Sequence, residues 1–304
     1  MSNLSHLPVM VNEVVSFLNP KDEKIYLDGT FGQGGYSKEI LKKANCKIFA
    51  IDRDHESRKF AEELKKRFGK RLIFNVEKLS RVNTLLKKYK EDHVDGIVLD
   101  LGISNTQLNN PSRGFSFTND GPLDMRMNTT EKLNAEIVVN EFSEKDLSDI
   151  FFYYGEERNS RRIARSIIEF RKKKKINSTL ILSQIVKEIN FSKFKHPATR
   201  VFQALRIYIN EELKELEEIL KLSLNILNNK SRIIVVAFHS LEDRLVKNFF
   251  KKNISEKTRK PNLSSLDPKY NLKIITKKPL TPSIEEIKIN PRSRSAKLRV
   301  AEKL

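Results

Sequence analysis

Cysteine, tryptophan and long apolar runs are scarce or absent in this sequence. Its 304 residues include one cysteine, Cys46, and no tryptophan. A single cysteine excludes an intrachain disulfide and a cysteine metal cluster. The longest apolar run, Ile233 to Phe238, has six residues, far fewer than a membrane-spanning helix needs. Because the N-terminus also lacks a basic-then-apolar export pattern, we expect a cytoplasmic protein with no membrane partner.

Acidic residues are also in deficit. The sequence has 39 Asp and Glu against 58 Lys and Arg, which gives a net charge of +19. This charge is far more basic than solubility requires and indicates a polyanionic partner, with nucleic acid the leading class. A generally lysine-rich proteome would give the same excess, so charge alone does not decide between the two. The 38% hydrophobic content is typical of a folded protein.

Hydrophobic periodicity divides the chain into two kinds of segment. Short β-branched runs alternate with amphipathic stretches up to Asp100 and return after residue 228, with helical periodicity alone between them. The predicted strands cover residues 24–28, 47–52, 72–76, 96–100, 232–239, 272–276 and 297–301. This pattern predicts an α/β fold with a Rossmann-like domain at 1–108 and 229–304, and an inserted, mainly helical domain at 109–228.

Apolar residues near residue 210 follow a long helical stripe. They fall on one face at Val201, Leu205, Ile209, Leu213, Leu216 and Leu220. This spacing predicts one long helix whose stripe belongs to the core. Such a helix could also serve an interface, so a homodimer is a possible assembly.

A glycine-rich segment, Asp28 to Ser37, follows the first predicted strand. Its glycines let a ligand lie directly against the backbone. A dinucleotide fingerprint would need a third glycine where Ser37 stands. Asp52, twenty positions after Gly32, can accept hydrogen bonds from the two hydroxyls of a ribose. Because Asp28 would repel a pyrophosphate but suits a cationic sulfonium, these residues favour S-adenosylmethionine over NAD. A tight structural turn without a ligand is the alternative.

The fourth predicted strand ends in Asp100-Leu101-Gly102-Ile103-Ser104. In a sheet of this type, a methyl acceptor would meet the cofactor at this point, and Gln107 follows within reach. The Asp-Pro-Pro-Tyr or Asn-Pro-Pro-Tyr tetrapeptide of many amino-group methylases is absent. The sequence therefore argues against an ordinary DNA adenine or cytosine amine methylase.

Three basic segments are candidates for RNA contact. The loop from Arg113 to Met127 contains two aromatic residues and the arginines Arg113 and Arg126, a composition that suits stacking on an extruded base and binding of its phosphates. Further along the chain, one helical face carries Arg158, Arg161, Arg162 and Arg165, and a turn before the last strand carries Arg292 and Arg294. A packed interdomain turn and solvated charged faces are the alternatives.

His239 closes the fifth predicted strand near the expected substrate site. Ser240 is the predicted cap of the helix that follows, with Asp243 at the third helical position. A hydrogen-bonded structural histidine is the alternative for His239. The other four histidines show no metal-ligand spacing, so no metal is expected.

These residues together resemble the RsmH family, also called MraW, from about residue 6 to the C-terminus. The segments that carry the resemblance are Asp28 to Ser37, Ala50 to Asp54, Arg113 to Met127, Tyr154 to Arg158, His196 to Arg206, Phe238 to Arg244 and Pro291 to Arg294. The resemblance implies a class I S-adenosylmethionine-dependent methyltransferase with a helical insertion. It implies as substrate the N4 amine of a cytidine in the decoding region of small-subunit (16S-type) ribosomal RNA, within the assembled 30S subunit.

The resemblance also implies a set of cofactor contacts. They are Gly34, Gly35, Tyr36, Asp52, Leu79, Asp100 and Gln107. The sequence departs from the family pattern at three positions: Tyr36 stands where histidine is usual, Leu79 where an aromatic residue is common, and Asn105 where a second serine often follows Ser104.

The implied reaction is direct displacement, with the cytosine amine attacking the sulfonium methyl group. Its lone pair is delocalised into the ring, so the site must polarise the amine and accept a proton. Asp124, His239 and Asp100 are the candidate acceptors. Two rivals explain less: a ribosome-assembly factor with a degenerate pocket would not need the glycine and carboxylate set, and a nicotinamide oxidoreductase would need the third glycine but not the charge.

Overall fold

The computed structural model describes residues 8–191, 196–254 and 272–304. The chain forms two compact units, Met1–Gly102 with Leu213–Leu304 and Ile103–Glu212. Within the described ranges, no helix combines the length and the apolar character needed to cross a membrane.

The first unit is built on a seven-stranded sheet of order β3-β2-β1-β4-β5-β7-β6. Its strands are β1 (Ile25–Asp28), β2 (Lys47–Asp52), β3 (Leu72–Val76), β4 (Val94–Asp100), β5 (Leu227–Ala237), β6 (Leu272–Ile274) and β7 (Lys297–Lys303). Strands β1 to β5 are parallel, and β7 runs antiparallel to both β5 and β6. The strand pattern predicted for this part of the chain is therefore present, with β5 beginning five residues earlier than predicted.

The order of the strands creates a switch point beside β1. The chain adds β2 and β3 on one side of β1 and then returns to place β4 on the other side. Open α/β sheets bind ligands outside the carboxyl ends of their strands at such a point. Asp28, Asp52 and Asp100 are the last residues of β1, β2 and β4, so the three carboxylates mark this edge.

Both faces of the sheet are buried under helices. Successive residues of a strand enter different apolar clusters: Tyr26 and Ile48 lie in one, Leu27 and Phe49 in the other. The helices of this unit are α1 (Val11–Leu18), α2 (Gly35–Lys43), α3 (Ser57–Phe68), α4 (Val82–Lys88), α11 (Glu212–Ile226), α12 (Ser240–Lys252) and α13 (Ile284–Ile289). Burial on both faces explains the continuous apolar runs of the central strands.

The second unit is helical. Its helices are α5 (Asn105–Asn109), α6 (Ala135–Glu141), α7 (Glu144–Gly155), α8 (Ser160–Arg171), α9 (Thr179–Ile189) and α10 (Thr199–Ile209). One apolar cluster forms its core and includes the fully buried Ile163, Ala164 and Ile167 of α8. These are the residues predicted to lie opposite the arginines of that helix.

The predicted single helix through residues 201–220 is wrong, because two helices occupy this stretch. Helix α10 ends at Ile209. The next residue is Asn210, whose side chain accepts from the Met127 N–H at 2.7 Å and donates to the Met125 carbonyl at 2.8 Å. Glu211 then adopts a left-handed φ of 50°, which a continuing helix does not allow. The apolar spacing carries across this break, so periodicity alone could not reveal it.

The boundaries of the two units also differ from the predicted insertion at 109–228. Leu216, Ile219 and Leu220 of α11 pack in the same cluster as Leu27 and Phe49 of the sheet, which moves this helix into the first unit. At the other boundary, Ile103 and Leu108 pack against the helical core.

Candidate active site

The glycine segment crosses the carboxyl ends of β1, β2 and β4. Backbone hydrogen bonds join the Gly29 N–H to the Val98 carbonyl at 3.0 Å and the Phe31 N–H to the Ile51 carbonyl at 2.9 Å. The Thr30 hydroxyl accepts from the backbone N–H of Asp100 at 2.5 Å. The segment is thus tied to both neighbouring strands, and α2 begins within it at Gly35.

Two glycines of this segment have left-handed backbones and differ in their surroundings. Gly32 has φ 54° and Gly34 has φ 75°. A Cβ at Gly34 would lie 2.5 Å from Leu64, whereas a Cβ at Gly32 would meet only the Thr30 carbonyl at 3.9 Å. The Cα of Gly32 therefore faces open space, and that of Gly34 faces packed side chains.

Asp28 lies at the centre of this edge and is buried. Its carboxylate accepts from the Ser37 hydroxyl at 2.6 Å and from the Thr30 N–H at 3.3 Å. Burial raises the pKa of Asp28 to about 6, and the nearby charge of Asp52 adds to the shift. Asp28 therefore holds the glycine segment in place and carries a carboxyl that titrates close to neutrality.

Asp52 connects the end of β2 to the same segment. Its Oδ2 accepts from the Gly32 N–H at 2.6 Å, and its Oδ1 accepts from the Asp54 N–H at 2.8 Å. Burial raises the pKa of this carboxyl as well. Each carboxylate oxygen has a second acceptor position, so Asp52 can still accept from the two hydroxyls of a ribose.

Asp100 has the clearest sign of a missing ligand. Its Oδ1 is buried and has no hydrogen-bond partner among the described residues. Burial, with the charges of Asp28 and Glu242, raises the pKa of Asp100 well above its ordinary value. Buried carboxylate oxygens are normally hydrogen-bonded, so this oxygen marks a position for a donor or a cation.

Two predicted cofactor contacts lie here: Tyr36 is part of the glycine segment, and Leu79 lies next to it. Tyr36 is buried on α2, and its hydroxyl donates to the Val9 carbonyl. Leu79 follows β3, and its Cδ2 lies 2.7 Å from the position of a Cβ at Gly29. The first unit thus holds Tyr36 in this segment and Leu79 beside it, and their contact with the cofactor stays a prediction.

Gln107, another predicted cofactor contact, belongs to the helical unit. Its side chain accepts from the Ser104 N–H at 2.9 Å, while the Ser104 hydroxyl accepts from the Gln107 N–H at 3.2 Å. This capping box starts α5. Its contact with the cofactor also stays a prediction.

His239 is the N-cap of α12, a position predicted for Ser240. Its Nδ1 accepts from the Glu242 N–H at 3.4 Å, and Glu242 Oε2 accepts from the backbone N–H groups of Phe238 and His239. Since Nδ1 accepts, the neutral ring carries its hydrogen on Nε2. That Nε2 lies 3.1 Å from Glu242 Oε1 without hydrogen-bond alignment. This geometry suits His239 to donate a hydrogen bond and argues against its predicted role as a proton acceptor.

The Arg113 to Met127 loop is held together by its own side chains, in contrast to its predicted role in stacking. Arg113 is buried, and its guanidinium donates to the carbonyls of Arg126 and Met127, both at 2.9 Å. Phe115 is buried, and Phe117 stacks on His196 with ring centroids 4.5 Å apart. Burial of the Arg113 side chain argues against the predicted direct contact with RNA.

Asp124 and Arg126 form a two-point ion pair in the same loop. Arg126 Nε donates to Asp124 Oδ1 at 2.8 Å, and Nη2 donates to Oδ2 at 2.6 Å. Because both oxygens of Asp124 bind one guanidinium, Asp124 is poorly suited to accept a proton from a substrate. The ion pair also neutralises the positive charge of Arg126, which was predicted to bind RNA.

The remaining predicted RNA contacts are exposed. They are Arg158, Arg161, Arg162 and Arg165 in the helical unit and Arg292 and Arg294 in the first unit. Arg165 lies 3.5 Å from Glu144, whereas Arg158, Arg161 and Arg162 form no ion pair within the described residues. These three keep their full charge available to a phosphate.

Comparison with known proteins identifies the family. A sequence model of the MraW methylase family matches residues 3–304. The chain belongs to the MraW methylase family. It is 51% identical to Ribosomal RNA small subunit methyltransferase H of Rickettsia felis, over 99% of each chain. The proteins of the same name from Wolbachia and Ehrlichia canis are each 46% identical, over 99% and 98% of this chain and 100% of their own length.

Membership in this methylase family accounts for the fold and the site. The predicted class I methyltransferase fold is confirmed, and S-adenosylmethionine is the cofactor. The residues present fit this cofactor, because a cationic ligand suits three carboxyls at one edge of the sheet, one of them with a buried, unpartnered oxygen. Glu242 was not predicted as a site residue, although its position three residues after His239 is the spacing of a capping box.

Proposed function

We propose that this MraW methylase transfers a methyl group to the N4 amine of a cytidine in the decoding region of small-subunit ribosomal RNA, in the cytoplasm. The observation that carries the proposal is the unpartnered Oδ1 of Asp100, beside the glycine segment at the switch point of the sheet. The name shared by the relatives from Rickettsia felis and Wolbachia supports ribosomal RNA of the small subunit as the substrate.

The proposed chemistry assigns different tasks to the candidate acceptors. S-adenosylmethionine, when bound, supplies an electrophilic methyl group. Asp100 accepts a hydrogen bond from the substrate amine and then its proton, because its Oδ1 is free for this task and both oxygens of Asp124 are paired. His239 donates from Nε2 and helps to orient the base.

Methylation of ribosomal RNA tests the proposed function directly. The protein is incubated with labelled S-adenosylmethionine and either intact 30S subunits or naked ribosomal RNA, and mass spectrometry identifies the modified nucleoside. We expect N4-methylcytidine, and we expect intact subunits to be the better substrate. An absence of methylated cytidine in both samples would contradict the proposal.

The same assay tests the task of Asp100 with a near-isosteric variant. In Asp100→Asn the acceptor charge is lost, and we expect methylation to slow by about 10²–10⁴-fold, the usual contribution of a general base. Asp124→Asn is the matched control and should slow the reaction much less if the protein stays folded. The reverse order of effects would assign the proton to Asp124.

The raised pKa values predict that cofactor binding depends on pH. Below about pH 6 the free protein holds Asp28 largely protonated, and burial also raises the pKa of Asp100 well above its ordinary value. A cationic ligand favours the ionised carboxyls, so binding releases protons and affinity rises as the pH increases from 5 to 8. Titration calorimetry in buffers of different ionisation enthalpy measures this release.

S-adenosylhomocysteine is the matched ligand for this measurement, since it lacks the sulfonium charge. It should release fewer protons than S-adenosylmethionine at the same pH. Equal proton release for the two ligands, or an affinity that does not change with pH, would show that the carboxyls do not respond to the cation.

A further inference from the structure

Two neighbouring aromatic side chains are exposed on α7. Phe152 is 55% exposed and Tyr153 is 64% exposed, and their ring centroids lie 5.2 Å apart. Among the described residues they are the only exposed aromatic side chains that are adjacent in sequence. Single exposed apolar residues are common, but two adjacent exposed rings indicate a surface that contacts something else.

Contacts between α7 and α8 show which residues lie beside these rings. Glu144 of α7 is 3.5 Å from Arg165 of α8, and the Ser148 and Ser160 hydroxyls are 3.3 Å apart. Between these two contacts the chain advances four residues on α7 and goes back five residues on α8. The two helices therefore pack antiparallel. Phe152 lies one turn beyond Ser148 on α7, and Arg158 and Arg161 lie within two residues of Ser160, so the rings are about one helical turn from these arginines.

The charge beside the rings is positive and available. Arg158, Arg161 and Arg162 are exposed and form no ion pair within the described ranges. The acidic Asp149, one turn before Tyr153, is paired with Lys145 at 2.8 Å. Glu156, between Tyr153 and Arg158 in the chain, is also exposed, and the three arginines outnumber it. We call Phe152, Tyr153, Arg158, Arg161 and Arg162 the aromatic-arginine surface.

We propose that the aromatic-arginine surface binds an unpaired stretch of RNA. A base stacks on Phe152 or Tyr153, and the arginines bind the phosphates on either side. Exposed aromatic rings with nearby cations are the usual means of binding single-stranded RNA. Every base has a flat face that can stack on a ring, and every phosphodiester linkage carries a negative charge that can pair with a cation. The inference rests on the proposed function, since it assigns a second contact to the same RNA substrate.

The test measures RNA affinity without the methylation reaction. The full-length Phe152→Ala/Tyr153→Ala variant is titrated with a fluorescent, unstructured oligoribonucleotide and with an RNA duplex of equal length, in the absence of S-adenosylmethionine. We expect binding of the single strand to weaken by about 5- to 150-fold, the range for loss of one stacked base. Duplex binding should change little, because its bases are already stacked and only its phosphates reach the arginines.

Two controls separate stacking from a general loss of structure. Phe191→Ala removes another exposed aromatic residue of the helical unit, 89% exposed, and should leave both affinities unchanged. Phe152→Trp/Tyr153→Phe keeps two rings and should retain single-strand binding. Unchanged cofactor affinity shows that the first unit is still folded in each variant.

Three outcomes would overturn the inference. One is unchanged single-strand affinity in the alanine variant while the wild-type protein binds and methylates RNA. A second is an equal loss for single strand and duplex, which would indicate damage to the charged surface without stacking. A third is normal oligonucleotide binding with weakened binding of intact 30S subunits, which would assign the rings to a protein contact. Failure of the wild-type protein to bind any RNA would instead count against the proposed function.

Discussion

The Asp52→Ala variant is expected to lose nearly all measurable affinity for S-adenosylmethionine. The Asp52 carboxylate accepts hydrogen bonds from the Gly32 and Asp54 N–H groups. It still has acceptor positions for the ribose hydroxyls. Hydrogen bonds to charged groups contribute about 1.5–3 kcal/mol each. Loss of two such bonds to the ribose weakens binding by at least about a hundredfold, since about 1.4 kcal/mol corresponds to a factor of ten. Titration calorimetry measures the change.

Two further variants make this result specific. Asp92→Ala removes an exposed carboxylate of the same unit and should leave affinity and melting temperature unchanged. Asp52→Asn keeps one acceptor oxygen, but its amide group faces a backbone N–H that needs an acceptor, so we expect intermediate affinity. If a folded Asp52→Ala protein bound the cofactor as tightly as wild type, the ribose would have to lie elsewhere.

The carboxylates at the strand ends were predictable from the sequence because they depend on local pattern. Each of Asp28, Asp52 and Asp100 ends a β-branched run, and parallel strands bring their carboxyl ends to one edge. The apolar periodicity that placed these strands extends over several residues, so it survives uncertainty at any single position.

Tertiary contacts explain where the sequence analysis failed. The break between α10 and α11 depends on Asn210 hydrogen bonds to residues more than 80 positions earlier in the chain. The ion pair of Asp124 with Arg126 is local, but the composition of that loop gave no means to distinguish an internal pair from side chains directed at a substrate. Arg113 was predicted to bind RNA for the same reason.

His239 shows how a small difference in capping changes a chemical role. Ser240 has the side chain preferred at an N-cap, so the sequence favoured it. In the structure, Glu242 reaches back to the backbone N–H groups of Phe238 and His239, which places His239 at the cap and uses its Nδ1 as an acceptor. The one-residue shift leaves only Nε2 of His239 for the substrate.

Alanine at Gly34 and at Gly32 should have opposite main effects, because the two glycines differ in their surroundings. Both have left-handed backbones, which cost a residue with a Cβ about 1–2 kcal/mol. At Gly34 the added methyl group would also lie 2.5 Å from Leu64 and 2.6 Å from Phe31. Such overpacking typically costs a further 1–3 kcal/mol. We therefore expect Gly34→Ala to lower the free energy of unfolding by about 2–5 kcal/mol and Gly32→Ala by about 1–2 kcal/mol.

Cofactor affinity should follow the opposite order and be lower in Gly32→Ala than in Gly34→Ala, because the Cα of Gly32 faces the open space beside Asp52. A methyl group there occupies the side from which a ligand approaches the backbone, so the Gly32→Ala protein should fold well and bind S-adenosylmethionine poorly. Urea denaturation gives the stabilities and calorimetry the affinities. Gly69→Ala is the control for a strained backbone away from the site, since Gly69 has φ 60° and ψ −134°, which only glycine adopts readily, and nothing lies within 4 Å of its added Cβ. If Gly32→Ala bound the cofactor as well as Gly69→Ala does, the ligand would not lie against this part of the glycine segment.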